Sequence, residues 1–129
     1  KKYQERIFFI DGAHNEDGFK KLDSIVCDFL KKDFIFIFGL NKNHSVSSAI
    51  NFIKKYKCKT IISKSNHPKS ERIEYIEKKL QYNDINYIKS NNTKEALNIS
   101  LRESKASEII VTAGSLFVSS EISKLIDNE

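Results

Sequence analysis

The residues of this sequence with the most chemistry to offer lie in one short stretch, Ile7 to Gly18, which reads I-F-F-I-D-G-A-H-N-E-D-G. Asp11 directly follows four apolar residues, Gly12 follows it, and His14 and Asn15 lead into a helical pattern. An aspartate in that place offers two acceptor oxygens, suited to ribose hydroxyls, to the donor edge of a base or to a metal ion. An imidazole three residues on can stack on a nucleotide or hydrogen-bond it. The competing reading is structural: Asp caps turns, Asn caps helices, and His14 would then decorate an exposed loop.

A loop of this kind belongs at the carboxyl end of a strand, which in open parallel sheets is where ligands bind. The apolar run ending at Asp11 predicts a buried first strand over 7–11. A helix is predicted from about Asn15 to Leu30, because Phe19, Leu22, Ile25, Val26, Phe29 and Leu30 recur at helical spacing. Asn15 can cap it, and Glu16 and Asp17 suit its positive first turn. Gly18 inside that helix points to close packing. Phe34 to Phe38 is apolar on both faces, as a central strand must be, and Gly39 ends it.

The alternation continues through a helix over 45–56, a strand over 60–63 and a helix over 70–80. A weaker strand is expected over 85–88, followed by a helix that Asn92 caps, with Glu95 closing a capping box. A strand over 108–112 and a helix over 115–127 complete the chain. Strands and helices in strict alternation require a parallel sheet with right-handed crossovers. The expected fold is therefore α/β, a single three-layer Rossmann-like domain over 1–129. Its sheet is mostly parallel, of five or six strands, with helices on both faces. Gly12, Gly39 and Gly114 follow strands, and His14, His44 and His67 lie in the loops after the first three, so one edge of the sheet collects turns and titratable groups. The lysines Lys31-Lys32, Lys54-Lys55 with Lys57, and Lys78-Lys79 fall at helix ends on the opposite edge, where the helix dipole favours cations.

Composition removes several function classes. The net charge of +5 arises from 22 Lys and Arg against 17 Asp and Glu, yet only Arg6, Arg72 and Arg102 are arginine. Nucleic-acid readers depend on arginine forks, so nucleic acid is not an expected partner. Cys27 and Cys58 lie far apart without metal-ligand spacing and are expected to be free thiols in a reducing compartment. The run Phe34 to Phe38 is far too short to cross a bilayer, and the charged start Lys1-Lys2-Tyr3-Gln4-Glu5 is no signal peptide. A cytoplasmic protein without a membrane partner is expected.

The sequence D-G-A-H-N, Asp11 to Asn15, directly after a hydrophobic strand resembles the signature of the C-terminal domain of folylpolyglutamate synthase and bifunctional dihydrofolate synthase, in the Mur ligase superfamily. Two further stretches agree in order and spacing. Phe38-Gly39-Leu40-Asn41-Lys42-Asn43 resembles the family's second-strand ending, in which an acid-Lys-acid turn follows the Gly. Thr112 to Val118 with Glu121-Ile122 resembles the closing G-S-L-Y/F-L-x-x-E-V segment. This chain departs from the pattern at Glu16, where Pro is usual, at Asn41 and Asn43, which replace acids, and at Ser120, where Gly often stands.

The resemblance implies that Asp11 matches the family's ATP-contacting aspartate and His14 the histidine beside it. Gly12, Asn15 and Ser115 then become candidate cleft-lining residues, with Gly114 next to them. The implied reaction is ATP-dependent amide formation, in which a folate or dihydropteroate carboxylate is phosphorylated, the amino group of glutamate attacks, and ADP and phosphate leave. The implied cofactors are ATP and Mg2+. The phosphate loop, the magnesium ligands and a modified lysine would lie in a larger N-terminal ATPase domain, and an ATP-contacting arginine just upstream. On that reading the chain is a C-terminal domain cut from a longer, monomeric enzyme. It holds no metal ligand and no assigned catalytic residue, and it is inactive alone.

Other readings are weaker. A non-catalytic nucleotide-binding or protein-docking module of the same fold is the alternative. A metal site of Asp11, His14, His44 and His67 is conceivable but has no close ligand spacing. A phosphate loop is absent, because Gly12 and Gly18 are separated by five residues and Phe19 intervenes before Lys20. A response-regulator receiver needs an acidic pair, a second acid and a lysine after the first, third and fifth strands, where this chain has Asp11 alone, Ser63-Lys64 and Thr112-Ala113.

Overall fold

The computed structural model describes residues 1–29 and 33–128, apart from the side chain of Phe29. In chain order the elements are β1 (Lys2–Tyr3), β2 (Arg6–Ile10), α1 (Glu16–Phe29), β3 (Phe34–Phe38), α2 (Ser47–Tyr56), β4 (Lys59–Ile62), α3 (Ile73–Tyr82), β5 (Ile88–Lys89), α4 (Thr93–Glu103), β6 (Ile109–Ala113) and α5 (Leu116–Asp127). They form one six-stranded sheet in the order β1-β2-β6-β3-β4-β5. Every pairing is parallel except the antiparallel hairpin of β1 with β2. This is the mostly parallel α/β sheet that the alternation predicts.

The layers follow from the period-two alternation of β3. All five of its residues are buried, between β6 on one side and β4 on the other. Phe34, Phe36 and Phe38 point to the layer of α1, α2 and α3, where they meet Phe19, Leu22, Phe52 and Leu80. Ile35 and Ile37 point the other way, to Ala96 and Leu97 of α4 and Val118 and Ile122 of α5. Two apolar cores back to back on one sheet are the three-layer architecture, and they require the unbroken apolar run that marks this strand.

The structure departs from the sequence reading at four places. The first apolar run is not buried throughout: Phe8 is 1% exposed, but Ile7 is 43% exposed, because only the two-residue β1 covers the outer edge of β2. The hairpin turn uses Gln4 and Glu5 at φ 50° and 64°, a left-handed pair with no Gly or Asn to announce it. The weak strand expected over 85–88 is shorter and lies at Ile88–Lys89, since the turn after α3 continues through Asp84 at φ 55° and Ile85 N–H donates to Leu80 O at 3.0 Å. Helix α3 starts at Ile73 rather than Ser70, because Ser70 is held in a bridge with Asn41. Leu30, Lys31 and Lys32, assigned above to a helix and its end, lie outside the described residues.

Candidate functional site

Because β2, β3, β4 and β6 are parallel, the loops that follow them share one rim of the sheet. The Asp11 loop is fixed from below: Asp11 N–H donates to Thr112 O at 2.9 Å, and the Ser119 hydroxyl donates to Asp11 O at 2.6 Å. Its carboxylate Oδ1 accepts from Ala13 N–H at 2.7 Å, the local turn that an Asp favours. Its Oδ2 has no partner among the described residues, and the residue is half-buried, so one charged acceptor remains for a ligand. Asn15 caps α1, its Oδ1 accepting from Gly18 N–H at 2.8 Å. Gly18 packs closely there: a Cβ would stand 3.1 Å from the Ala13 backbone, so the loop would have to give by a few tenths of an ångström.

His14 is oriented by its own loop. Its Nδ1 lies 2.9 Å from Gly12 O, and a carbonyl only accepts, so the neutral ring carries its proton on Nδ1. Nε2 is then left as a lone pair. His44, from the loop after β3, meets it edge to face, with ring centroids 5.2 Å apart. Asp11 and His14 therefore present two acceptors on one loop. They suit hydroxyl or amino donors of a ligand and repel anionic oxygens.

The rest of the rim is knitted across sequence. Ser115 caps α5 by accepting from Val118 N–H at 3.2 Å and donates to Asn41 Oδ1 at 2.9 Å, so its hydroxyl is engaged twice. Gly114 adopts φ +97°, a conformation that glycine reaches at little cost, and its N–H donates to Ala13 O at 2.6 Å. The loops after β3 and β4 meet in a single antiparallel bridge of Asn41 with Ser70, with Lys42 N–H donating to Lys69 O at 2.7 Å and Glu71 N–H to Leu40 O at 2.8 Å. His67 lies flat on Phe117, ring centroids 3.6 Å apart and planes at 6°. Glu121, one turn further along α5, accepts from Asn66 N–H and from the Thr93 hydroxyl, each at 2.8 Å.

The structure thus brings Asp11, Gly12, His14, Asn15 and Ser115 to one rim, with the side chains of Asn15 and Ser115 serving as helix caps. It does not bring Asp11, His14, His44 and His67 into one metal site: His67 is stacked on Phe117, and among the described residues no group of three or more His, Cys, Asp or Glu converges to hold a metal ion. The clasp of Glu121 on two distant loops was not legible, since its partners are 55 and 28 residues away. The closing segment that contains Glu121 was the one signal.

The shifted titrations lie elsewhere. Burial pushes the Cys58 thiol up to about 11. Between α1 and α2, burial works to raise the Asp23 carboxyl, but hydrogen bonds from Lys55 and Tyr56, with the Lys55 charge, outweigh it and hold the group below its ordinary value. The lysines Lys54 and Lys55 of α2 and Lys79 of α3 occupy last helical turns, as the dipole favours.

Sheet order and rim together define a Rossmann-like α/β domain of the kind that receives ligands at the carboxyl ends of its strands. The chain belongs to the Mur ligase, glutamate ligase domain family, whose sequence profile matches residues 1–116. No curated protein matches the sequence. Among solved structures it is similar to the bifunctional folylpolyglutamate synthase/dihydrofolate synthase of Yersinia pestis complexed with AMPPNP and Mn ion, at TM-score 0.80 and 9% identity over 93% of this chain and 28% of that one. It is similar also to E. coli FolC in complex with ADP, at TM-score 0.80 and 16% identity over 94% of this chain and 29% of that one. A third likeness is to the folylpolyglutamate synthase of Mycobacterium tuberculosis complexed with ADP and AMPPCP, at TM-score 0.77 and 16% identity over 95% and 30%. The chain spans less than a third of each of these proteins.

Proposed function

We propose that this chain is the C-terminal domain of an ATP-dependent carbon–nitrogen ligase of the folylpolyglutamate synthase and dihydrofolate synthase type. It forms one wall of the ATP cleft, and an N-terminal ATPase domain forms the other. The observation that carries this reading is the pair of acceptors on the loop after β2, the free Oδ2 of Asp11 and the Nε2 lone pair of His14. Both suit the hydroxyls and the amino group of a nucleoside. Gly12 lies against the side chain of Leu116, the first residue of α5, whose Cδ1 would stand 3.3 Å from a Cβ at position 12.

In the reaction, a carboxylate oxygen of dihydropteroate or a folate attacks the terminal phosphorus of ATP, giving an acyl phosphate and ADP. The amino group of glutamate then attacks the acyl carbon, loses a proton, and expels phosphate. Mg2+, when bound to the nucleotide phosphates, would neutralise their charge, and its ligands are assigned to the N-terminal domain. This domain's residues hold and orient the nucleoside, and none of them is assigned a bond-making step.

The test is an assay of the intact enzyme with ATP, L-glutamate and either dihydropteroate or a reduced folate. Release of ADP and phosphate that requires both glutamate and a pterin substrate is the expected result. Binding of ATP or ADP with no turnover on either pterin would instead favour the nucleotide-binding module.

A further inference from the structure

His14 is not the only imidazole on the rim whose tautomer the backbone fixes. Lys69 N–H donates to His67 Nδ1 at 3.1 Å, so the neutral ring of His67 must carry its proton on Nε2. The orientation is opposite to that of His14: one histidine offers a lone pair, the other an N–H. That Nε2–H has no partner among the described residues. Three restraints hold the ring in place. Phe117 covers one face in a parallel stack. The Ser65 hydroxyl accepts from His67 N–H at 3.2 Å. Glu121 anchors the preceding residue through Asn66 N–H and ties it to α4 through Thr93.

We propose that His67 is a further ligand-binding residue of the rim, donating Nε2–H to an anionic oxygen of a phosphate or carboxylate group, and that Glu121 is the residue that positions it. Two cations lie near the ring, and both oxygens of the Glu121 carboxylate are engaged by Asn66 N–H and the Thr93 hydroxyl. Lys69 follows His67 by two residues, and Lys42 stands across the bridge from Lys69, its N–H donating to Lys69 O; both are exposed and neither has an ion-pair partner among the described residues. Like charges opposed across a backbone pairing repel, and an anion between them relieves that repulsion. Asn41 and Asn43 flank Lys42, so no carboxylate in that turn neutralises the pair.

The rim then has two ends of opposite character. Acceptors at Asp11 and His14 take donor groups, and a fixed donor with two cations at His67 takes anionic oxygens. The inference builds on the rim's role in the proposed function, but its test does not use ATP turnover, so the two can fail separately.

The experiment is a titration of the whole 129-residue chain, labelled with 15N at histidine, followed by NMR. Inorganic phosphate and L-glutamate are the probes, each alone. A saturable shift of the His67 ring with either one is expected. A response to phosphate alone assigns the site to a phosphoryl oxygen, and a response to glutamate alone to a carboxylate. Glu121→Ala should weaken that binding about tenfold, the loss of a fixed donor to a charged oxygen. Glu121→Gln should stay within about threefold, because its amide can accept from Asn66 N–H and donate to the Thr93 hydroxyl. If Glu121→Ala does not fold, Thr93→Val removes one arm of the clasp and should give a smaller loss. The proposal is overturned if neither probe moves the His67 ring, or if Glu121→Ala or, in its place, Thr93→Val binds as tightly as the unaltered chain.

Discussion

Gly39 ends β3 directly beneath the first turn of α5, and replacing it by alanine measures how tightly the rim is built. A Cβ at position 39 would stand 3.1 Å from Val118 Cβ, closer still to its Cγ2, and 3.3 Å from Ser63 O. Val118 is 1% exposed and β-branched, so it has no second rotamer to retreat into. Overpacking of this kind costs about 1–3 kcal/mol. Val118→Ala alone removes two buried methyl groups and costs about 2 kcal/mol. In the double variant the new methyl enters the space that Val118 leaves, so the two losses should fall short of their sum by about 1–2 kcal/mol. Urea unfolding of the four proteins measures this coupling, and in a domain of this size each kcal/mol lowers the melting temperature by about 4 °C. Strictly additive losses would refute the contact and, with it, the packing that sets where α5 and Ser115 begin.

Other outcomes follow from single side chains. The Arg6 guanidinium donates to Leu101 O at 3.0 Å and to Ser104 O at 2.7 Å, closing the end of α4, and to Gln4 O at 2.6 Å in the β1–β2 turn. Arg6→Ala should therefore destabilise by about 2 kcal/mol in urea unfolding, and Arg6→Lys should recover little, because an ammonium cannot span that fork. Cys27 is exposed while Cys58 is held to about 11, so at about pH 8 a thiol-specific disulfide reagent should modify one equivalent quickly, and the second only on unfolding. The Asp23 carboxyl, held low in the folded state, contributes stability above its unfolded value of about 4 that is lost as the pH falls through the folded one. Lys55→Ala should flatten that acid limb of the stability profile; an unchanged limb would show that the contact contributes nothing.

The sequence disclosed the architecture because its strongest signals were long-range in consequence but local in form. Phe34 to Phe38, apolar on every residue, could only be a strand covered on both faces, and the structure buries all five. Asn15 and Asn92 were legible as caps because a cap's partner lies three residues away. What escaped depended on partners far along the chain. Ser70 looked like a helix start until Asn41 bridged it, and Ile85 looked like a strand until the turn after α3 took its N–H. The hairpin at Gln4 and Glu5 carried no glycine signal, and Arg6 gave no hint that it would cap a helix nearly a hundred residues later. At the rim, Asp11 and His14 were legible as chemistry, whereas the opposite tautomers of His14 and His67 depend on backbone geometry that no spacing rule states.

The central claim is that Asp11 supplies a charged acceptor to the nucleotide, and Asp11→Asn in the intact enzyme tests it most directly. The variant keeps an Oδ1 acceptor for Ala13 N–H, so the loop and the melting temperature should be preserved. The KM for ATP should rise about tenfold or more, the loss of a hydrogen bond to a charged group. An unchanged KM for ATP, with the fold intact, would contradict the account.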